Sequence, residues 1–320
     1  MVTAIQTNKE HFLQHGFVKV EGVRDPETVL DPIIYEYHGV LDNLADELFV
    51  SGRISSRYEA HSQYFDFSLP SQGVKEDTPF WAGPAVLNAF VNEKLLDVVE
   101  ELIGPEIYSN PVQHVRIKPP EKYLPKNEQG LPVIGPTVWH QDHGVVTEEA
   151  DDTNVVTTWF SLTDTPVEAG SLRFVPGSYR SVLVLLTHCE DYEGNDPALR
   201  GRQIPQRLFD YEDAIPMPTK RGDVIFLHKQ VVHGSLSNVS ERIRWSFDLR
   251  YNLIGQSTGR DVFPGFVARS RRNPESELRD PSRWKQSWLD TRSRMAKINQ
   301  EGTSDVTFSC WADGHPDCEY

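Results

Sequence analysis

The sequence predicts a mainly β fold, a double-stranded β-helix (jelly roll, cupin-like) with flanking α-helices. Short runs rich in apolar and β-branched residues recur between Tyr108 and Tyr251, separated by Gly and Pro turns, which is the signature of many short strands. Segments with helical spacing are confined to the flanks. His140, Asp142 and His233, a set of metal-ligand types, fall on strand-like segments far apart in the chain, and a site shared between two such strands implies a barrel or sandwich.

From the N-terminus, Asn8 to His15 reads as a short helix stopped by Gly16, followed by a strand from Phe17 to Val20. A longer helix is expected from about Pro26 to Val50. Residues 51 to 82 are polar and aromatic without clean periodicity, so they form a connection that could border the site. From Ala85 to Ile103, Leu87, Phe90, Val91, Leu95, Val98 and Leu102 recur every three to four residues, the pattern of one amphipathic helix stopped by Gly104-Pro105. Strands are then expected over Val112 to Ile117, Thr137 to Asp142, Val155 to Leu162, Leu172 to Val175, Asp223 to Phe226 and Ile243 to Leu249. Leu183 to Tyr211 interrupts them with Glu, Asp, Asn, Pro and Gly residues and reads as an insertion or lid. The loop Glu121 to Gly135, just before the first ligand candidate, should lie beside the mouth of the site. Past Tyr251 the chain turns polar and charged. Arg269-Ser-Arg-Arg272 reads as a solvated or salt-bridged face, and a helix is expected from Pro281 toward Lys297. The organisation predicted is one domain over residues 1 to 320. Its parts are an N-terminal helical part (8 to 104), a core of about 105 to 252 and a C-terminal extension (253 to 320).

The chemistry concentrates in Trp139-His140-Gln141-Asp142-His143 and in His233-Gly234-Ser235 with Arg244 beyond. Two neutral imidazoles and one carboxylate on one face of Fe(II) leave positions open for a bidentate co-substrate and dioxygen. Residues i and i+2 of an extended strand point to the same side, so His140 and Asp142 can share a metal while Gln141 points away. His143 and His228, of opposite parity to the neighbouring ligand candidates, read as supporting or core residues. Arg244 lies on a strand whose alternation places Arg242, Arg244, Ser246, Asp248 and Arg250 on one face. Its guanidinium can take a carboxylate bidentately, as the far end of 2-oxoglutarate demands.

The combined run resembles the phytanoyl-CoA dioxygenase family of Fe(II)/2-oxoglutarate-dependent oxygenases across roughly residues 8 to 252. The residues that carry the resemblance are Trp139-His-Gln-Asp142, then Trp159-Phe-Ser-Leu-Thr-Asp-Thr-Pro-Val-Glu-Ala-Gly-Ser-Leu-Arg-Phe-Val-Pro-Gly-Ser178, Gly222-Asp223, His233-Gly-Ser-Leu-Ser-Asn238, Arg244 and Lys118-Pro-Pro120. A lone His-x-Asp is common; the joint pattern is specific. The resemblance implies that His140, Asp142 and His233 bind iron and that Arg244 and Ser235 hold the distal carboxylate of 2-oxoglutarate. It also implies that Trp159 and Lys118 line the co-substrate side, and that O2 is consumed as 2-oxoglutarate becomes succinate and carbon dioxide. Gln113, Arg116 and Phe65 are expected in the substrate pocket, with Tyr64, Phe67 and His114 as further candidates. Halogenating relatives carry a small residue at the carboxylate position, so Asp142 disfavours that chemistry.

Composition bounds the partners. With 320 residues, 38% hydrophobic and 25% charged, the chain is long enough for a large core. A net charge of −15 argues against nucleic acid or an anionic membrane as partner, since both recruit basic surfaces. It weighs mildly against a coenzyme A thioester too, leaving a small-molecule substrate of another kind. Three cysteines, Cys189, Cys310 and Cys318, make no disulfide framework, and Cys310, His315 and Cys318 match no zinc spacing. Residues 1 to 15 lack an apolar core segment and the longest aliphatic run is Val182 to Leu186, so the expected location is cytoplasmic. The competing readings are a β-barrel metal-binding protein without oxygenase activity and a cupin-like metalloenzyme that does not turn over 2-oxoglutarate.

Overall fold

The computed structural model describes residues 7–52, 55, 82–124, 126, 130–132, 135–180, 187–188, 202–204 and 209–301. Two antiparallel sheets dominate. The larger runs β1 (Phe17–Val20), β9 (Val224–His228), β4 (Val156–Ser161), β11 (Arg244–Leu253), β2 (Glu106–Ser109), β12 (Phe266–Ser270), with β3 (His114–Lys118) also paired to β11. The smaller has the order β10 (His233–Ser235), β5 (Leu172–Phe174), β8 (Ile215–Met217), and a short pair is formed by β6 (Thr187–His188) and β7 (Arg202–Gln203).

The large sheet is covered on both faces, and its strands show why. Along β11, Trp245, Phe247, Leu249 and Tyr251 join the main apolar cluster, whereas the alternating Arg244, Ser246, Asp248 and Arg250 are buried on the opposite face. In β4, Val156 and Phe160 share that cluster while Trp159 belongs to a second one with Leu172, Phe174 and Leu227. Helices supply the rest of the main cluster. Phe12 comes from α1 (Asn8–His15), Ile33 and Tyr37 from α2 (Asp31–Val50), and Leu87 and Phe90 from α3 (Pro84–Phe90). Leu95 and Val99 belong to α4 (Glu93–Ile103), and Trp284 and Trp288 to α5 (Pro281–Glu301). The helices therefore close the outer face and leave an inner face, polar along β11 and apolar along β1, β9 and Trp159, turned toward the small sheet.

The helix ends follow local chemistry. Thr7 and Glu10 cap α1 reciprocally, and the chain leaves it through Gly16 at φ 84°, where a Cβ would stand 2.7 Å from Tyr179. The expected helix from Pro26 begins instead as a π turn, Pro26–Leu30, just ahead of Pro32, which has no N–H to give. The single helix expected over Ala85 to Ile103 is two, because the Asn92 side chain accepts the Leu95 N–H at 3.2 Å and starts a new helix. Arg269, on β12, is buried against α4, where it donates to Glu93, Asp97 and Glu100. The basic run is thus a salt-bridged face. The sheet also continues past the expected core boundary at residue 252, through the end of β11 and through β12. The strand expected over Thr137 to Asp142 is reduced to a single bridge, at His140, and Asp142 already opens a 3-10 turn to Val145.

Phe65, with Tyr64 and Phe67, lies outside the described residues, as do most of Leu183 to Tyr211 and the residues Cys189, Cys310, His315 and Cys318. Among the described residues no helix is long and apolar enough to cross a membrane.

Candidate metal centre and its cleft

His140 and His233 face each other directly across an antiparallel bridge. His140 N–H donates to the His233 carbonyl at 2.9 Å, and His233 N–H returns to the His140 carbonyl at 3.0 Å. The ring centroids are 4.1 Å apart. Gly234 makes the approach possible, since a Cβ there would stand 2.8 Å from the Thr137 carbonyl oxygen. Gln141 is extended at φ −121°, ψ 139°, so Asp142 returns to the side of His140, while the Gln141 amide turns away to the Gln230 carbonyl at 2.5 Å.

Both imidazoles are set by their Nδ1 atoms. His140 Nδ1 lies 2.8 Å from the Val138 carbonyl and His233 Nδ1 3.0 Å from the Val231 carbonyl. A carbonyl only accepts, so each Nδ1 carries a proton, which in the neutral tautomer leaves the lone pair at Nε2. Both Nε2 atoms lie 3.9 Å from Asp142 Oδ1, and the three ligand atoms fall within 4.8 Å of one another. Burial, followed by the charge of His233, pushes His140 down to about 3, so its ring is neutral at physiological pH. Burial alone raises the Asp142 carboxyl, but Arg250 and the two imidazoles outweigh it and hold it below the carboxylate range. The donor set and its protonation fit a divalent metal of the Fe(II) type.

These side chains open into one cleft between the two sheets. It is lined by Arg116 of β3, Thr157 and Trp159 of β4, Leu172 of β5, Leu227 of β9, and Arg244 and Asp248 of β11, together with Thr137 and the three ligand candidates. Arg244 is buried, donates from Nη1 to the Gly170 carbonyl at 2.8 Å, and leaves its buried Nε without a hydrogen-bond partner among the described residues. Its guanidinium carbon lies 5.7 Å from the Trp159 ring centroid. Lys118 is the Cα partner of Arg244 across β3 and β11. Its Nζ donates to the Gly135 carbonyl (3.0 Å), Thr137 Oγ1 (3.0 Å) and Ser235 Oγ (2.6 Å). Burial first, then the charges of Arg244 and Arg116, push the Lys118 ammonium well below its ordinary range. Ser235 Oγ also accepts the Thr137 N–H at 2.8 Å, which leaves the Ser235 hydroxyl hydrogen to be donated elsewhere. A buried guanidinium with an unbonded Nε and an unspent hydroxyl hydrogen are what a carboxylate would satisfy.

The expected pocket residues divide. Arg116 lines the cleft and pairs with Asp248 at 3.1 Å. Gln113 does not line it. Its buried amide accepts the Arg250 N–H at 2.9 Å and donates to the Arg250 carbonyl at 3.1 Å. It thereby replaces strand pairing in the gap between β2, which pairs with β11 from Tyr251 on, and β3, which pairs with it up to Asp248. His143 bonds Asp151 at 2.8 Å, and the His228 ring lies tilted at 46° against Tyr179, with centroids 4.7 Å apart. The residue that sequence reasoning passed over is Arg250. It stood in the alternation with Arg244, but its partner could not be read without the register that sets it opposite Thr157.

The sequence model of the phytanoyl-CoA dioxygenase family matches residues 12–246, more than half of the chain. A phytanoyl-CoA dioxygenase from Arabidopsis thaliana is 27% identical over 115 residues, covering 36% of this chain and 38% of that protein. The match therefore spans well under two thirds of the relative's length. Among solved structures, the non-heme monooxygenase ThoJ superposes with a TM-score of 0.55 at 17% identity, covering 92% of this chain and 100% of that one. The epimerase SnoN, in complex with Fe3+, alpha ketoglutarate and nogalamycin RO, superposes with a TM-score of 0.50 at 19% identity, covering 79% and 86%. At these identities the likeness is one of fold, the jelly roll expected from the strand pattern.

Proposed function

The chain belongs to the phytanoyl-CoA dioxygenase family, and from that premise we propose that it is a non-haem Fe(II)- and 2-oxoglutarate-dependent oxygenase acting on a small molecule. His140, Asp142 and His233 hold the iron. Arg244 receives the distal carboxylate of 2-oxoglutarate, with Ser235 donating its hydroxyl hydrogen and Lys118 holding Ser235 in place on the co-substrate side, while Trp159 walls that side. Iron bound with 2-oxoglutarate and O2 supplies an oxidant that hydroxylates an unactivated C–H bond as succinate and carbon dioxide are released. The reading rests above all on two Nε2 lone pairs meeting one carboxylate oxygen in the same cleft as a buried, partly unsatisfied arginine.

The chain's own groups then act by placement. The carbonyls of Val138 and Val231 keep both imidazoles in the ligating tautomer. The apolar side chains of Trp159, Leu172 and Leu227 keep water from the cleft and strengthen every charge interaction within it. Arg116, paired with Asp248, borders the space for substrate. Packing of β12 and α5 onto the main cluster supports one oxygenase domain that includes the segment after residue 252.

Ligand deletion tests this. His140→Ala, Asp142→Ala and His233→Ala are each expected to abolish iron-dependent succinate formation while the protein stays folded by circular dichroism. Turnover retained in His233→Ala would refute the ligand assignment.

A further inference from the structure

We infer that Arg250 and Thr157 are positioning residues that fix the carboxylate of Asp142 for the metal, acting through that side chain. The inference rests on the ligand reading above. Arg250 Nη2 donates to Asp142 Oδ1 at 2.7 Å, and Thr157 Oγ1 donates to Asp142 Oδ2 at 2.5 Å. The two oxygens of one carboxylate are thus held by different donors from adjacent strands, and the donors are themselves cross-strand partners, Arg250 of β11 opposite Thr157 of β4. Oδ1, which takes the guanidinium, is also the oxygen 3.9 Å from both imidazole Nε2 atoms. A carboxylate held by one oxygen could still turn about its Cβ–Cγ bond and swap the atom it presents. With both oxygens engaged it cannot, and the rotation need not be frozen when a metal binds.

Arg250 is itself braced. Its Nη1 lies 3.3 Å from the Val112 carbonyl and 3.1 Å from His114 Nδ1, and its backbone is clamped on both sides by the Gln113 amide. Arg250 and Asp142 are both almost wholly buried, so neither solvent nor salt loosens the pair. A purely structural ion pair would stabilise the fold and leave metal affinity alone. The sign of the effect on metal binding separates the two roles. Removing a cation from beside a metal site would, by charge alone, tighten binding of a divalent ion. Weaker binding therefore reports lost orientation.

The experiment is calorimetric titration of Mn(II) into the full-length protein, alongside urea unfolding of each variant. Arg250→Met and Thr157→Val are expected to raise the Mn(II) Kd by about 10- to 100-fold, the range for residues that orient a metal ligand. Thr157→Ser, which keeps the hydroxyl, should bind as wild type, and Arg250→Lys should fall between wild type and Arg250→Met. Folded Arg250→Met and Thr157→Val that bind Mn(II) as wild type does, or more tightly, overturn the proposal. Should Arg250→Met fail to fold, Thr157→Val, close to isosteric, decides alone. Asp142→Ala separates the two failures: if it binds Mn(II) like wild type, the ligand assignment is wrong, whereas if it alone loses binding, only the positioning roles fall.

Discussion

Arg244 is the residue whose surroundings say most about a co-substrate. It is buried, donates to the Gly170 carbonyl, and keeps Nε unbonded among the described residues, an arrangement that costs free energy unless an anion completes it. Hydrogen bonds to a charged group contribute about 1.5–3 kcal/mol, so Arg244→Ala should raise the 2-oxoglutarate KM by roughly 10- to 100-fold. Steady-state kinetics at saturating O2 checks this, and an unchanged KM would place the carboxylate elsewhere. That His140, Asp142, His233 and Arg244 share one cleft was legible because each rests on residue type plus strand parity, which survive without coordinates. The place of Gln113, against the Arg250 backbone, was hidden for the same reason that Arg250 was passed over. Both depend on where β3 ends against β11, and no property of either side chain encodes that.

At the scale of elements, the centre is a junction between the large and small sheets. The segment 137 to 140 lies against β10 so closely that Gly234 has no room for a side chain, its would-be Cβ standing 2.8 Å and 3.2 Å from the carbonyl oxygens of Thr137 and Val138. Gly234→Ala must part these backbones and separate the two histidines. A cost of about 1–3 kcal/mol is expected, as for other overpacked sites, together with a weakened metal affinity. Urea unfolding and metal titration measure the two effects, and a variant equal to wild type in both would show that the close approach is dispensable. Most strands were legible from apolar runs bounded by Gly and Pro. The break between α3 and α4 was hidden, because helical periodicity runs through Val91 and only the capping of Leu95 by Asn92 interrupts it. β12 was also hidden, since Phe266–Ser270 ends in a basic run whose Arg269 is neutralised by acidic residues of α4, distant in sequence.

For the molecule as a whole, charge is sorted by depth. The chain carries a net −15, yet Arg116, Lys118, Arg244 and Arg250 gather on the inner face of one sheet. Bulk composition argues against polyanionic partners without revealing this internal cluster, because a sum over residues carries no position. Buried histidines add a pH dependence to stability. Burial, then the charges of Lys229 and His143, push His228 down to about 4 from 6.5, and its Nδ1 accepts the Gln230 N–H at 3.1 Å, which a protonated ring cannot do. Between about pH 4 and 6.5 the unfolded chain therefore binds the proton that the folded protein refuses. The stability from the neutral ring is complete above the unfolded value and is lost as pH falls toward the folded one. Denaturation midpoints should fall on acidification through this window, and His228→Phe should flatten the slope. A slope unchanged in that variant would remove His228 from the cause.

The central claim, that one cleft holds iron and 2-oxoglutarate together, is tested most directly by succinate formation. Purified protein loaded anaerobically with Fe(II) is mixed with 2-oxoglutarate with and without O2, alone and with a panel of small molecules. Oxygen-dependent succinate, even at a slow uncoupled rate and lost in Asp142→Ala, is the predicted result. Folded protein that binds the metal yet forms no succinate with any panel member would contradict it.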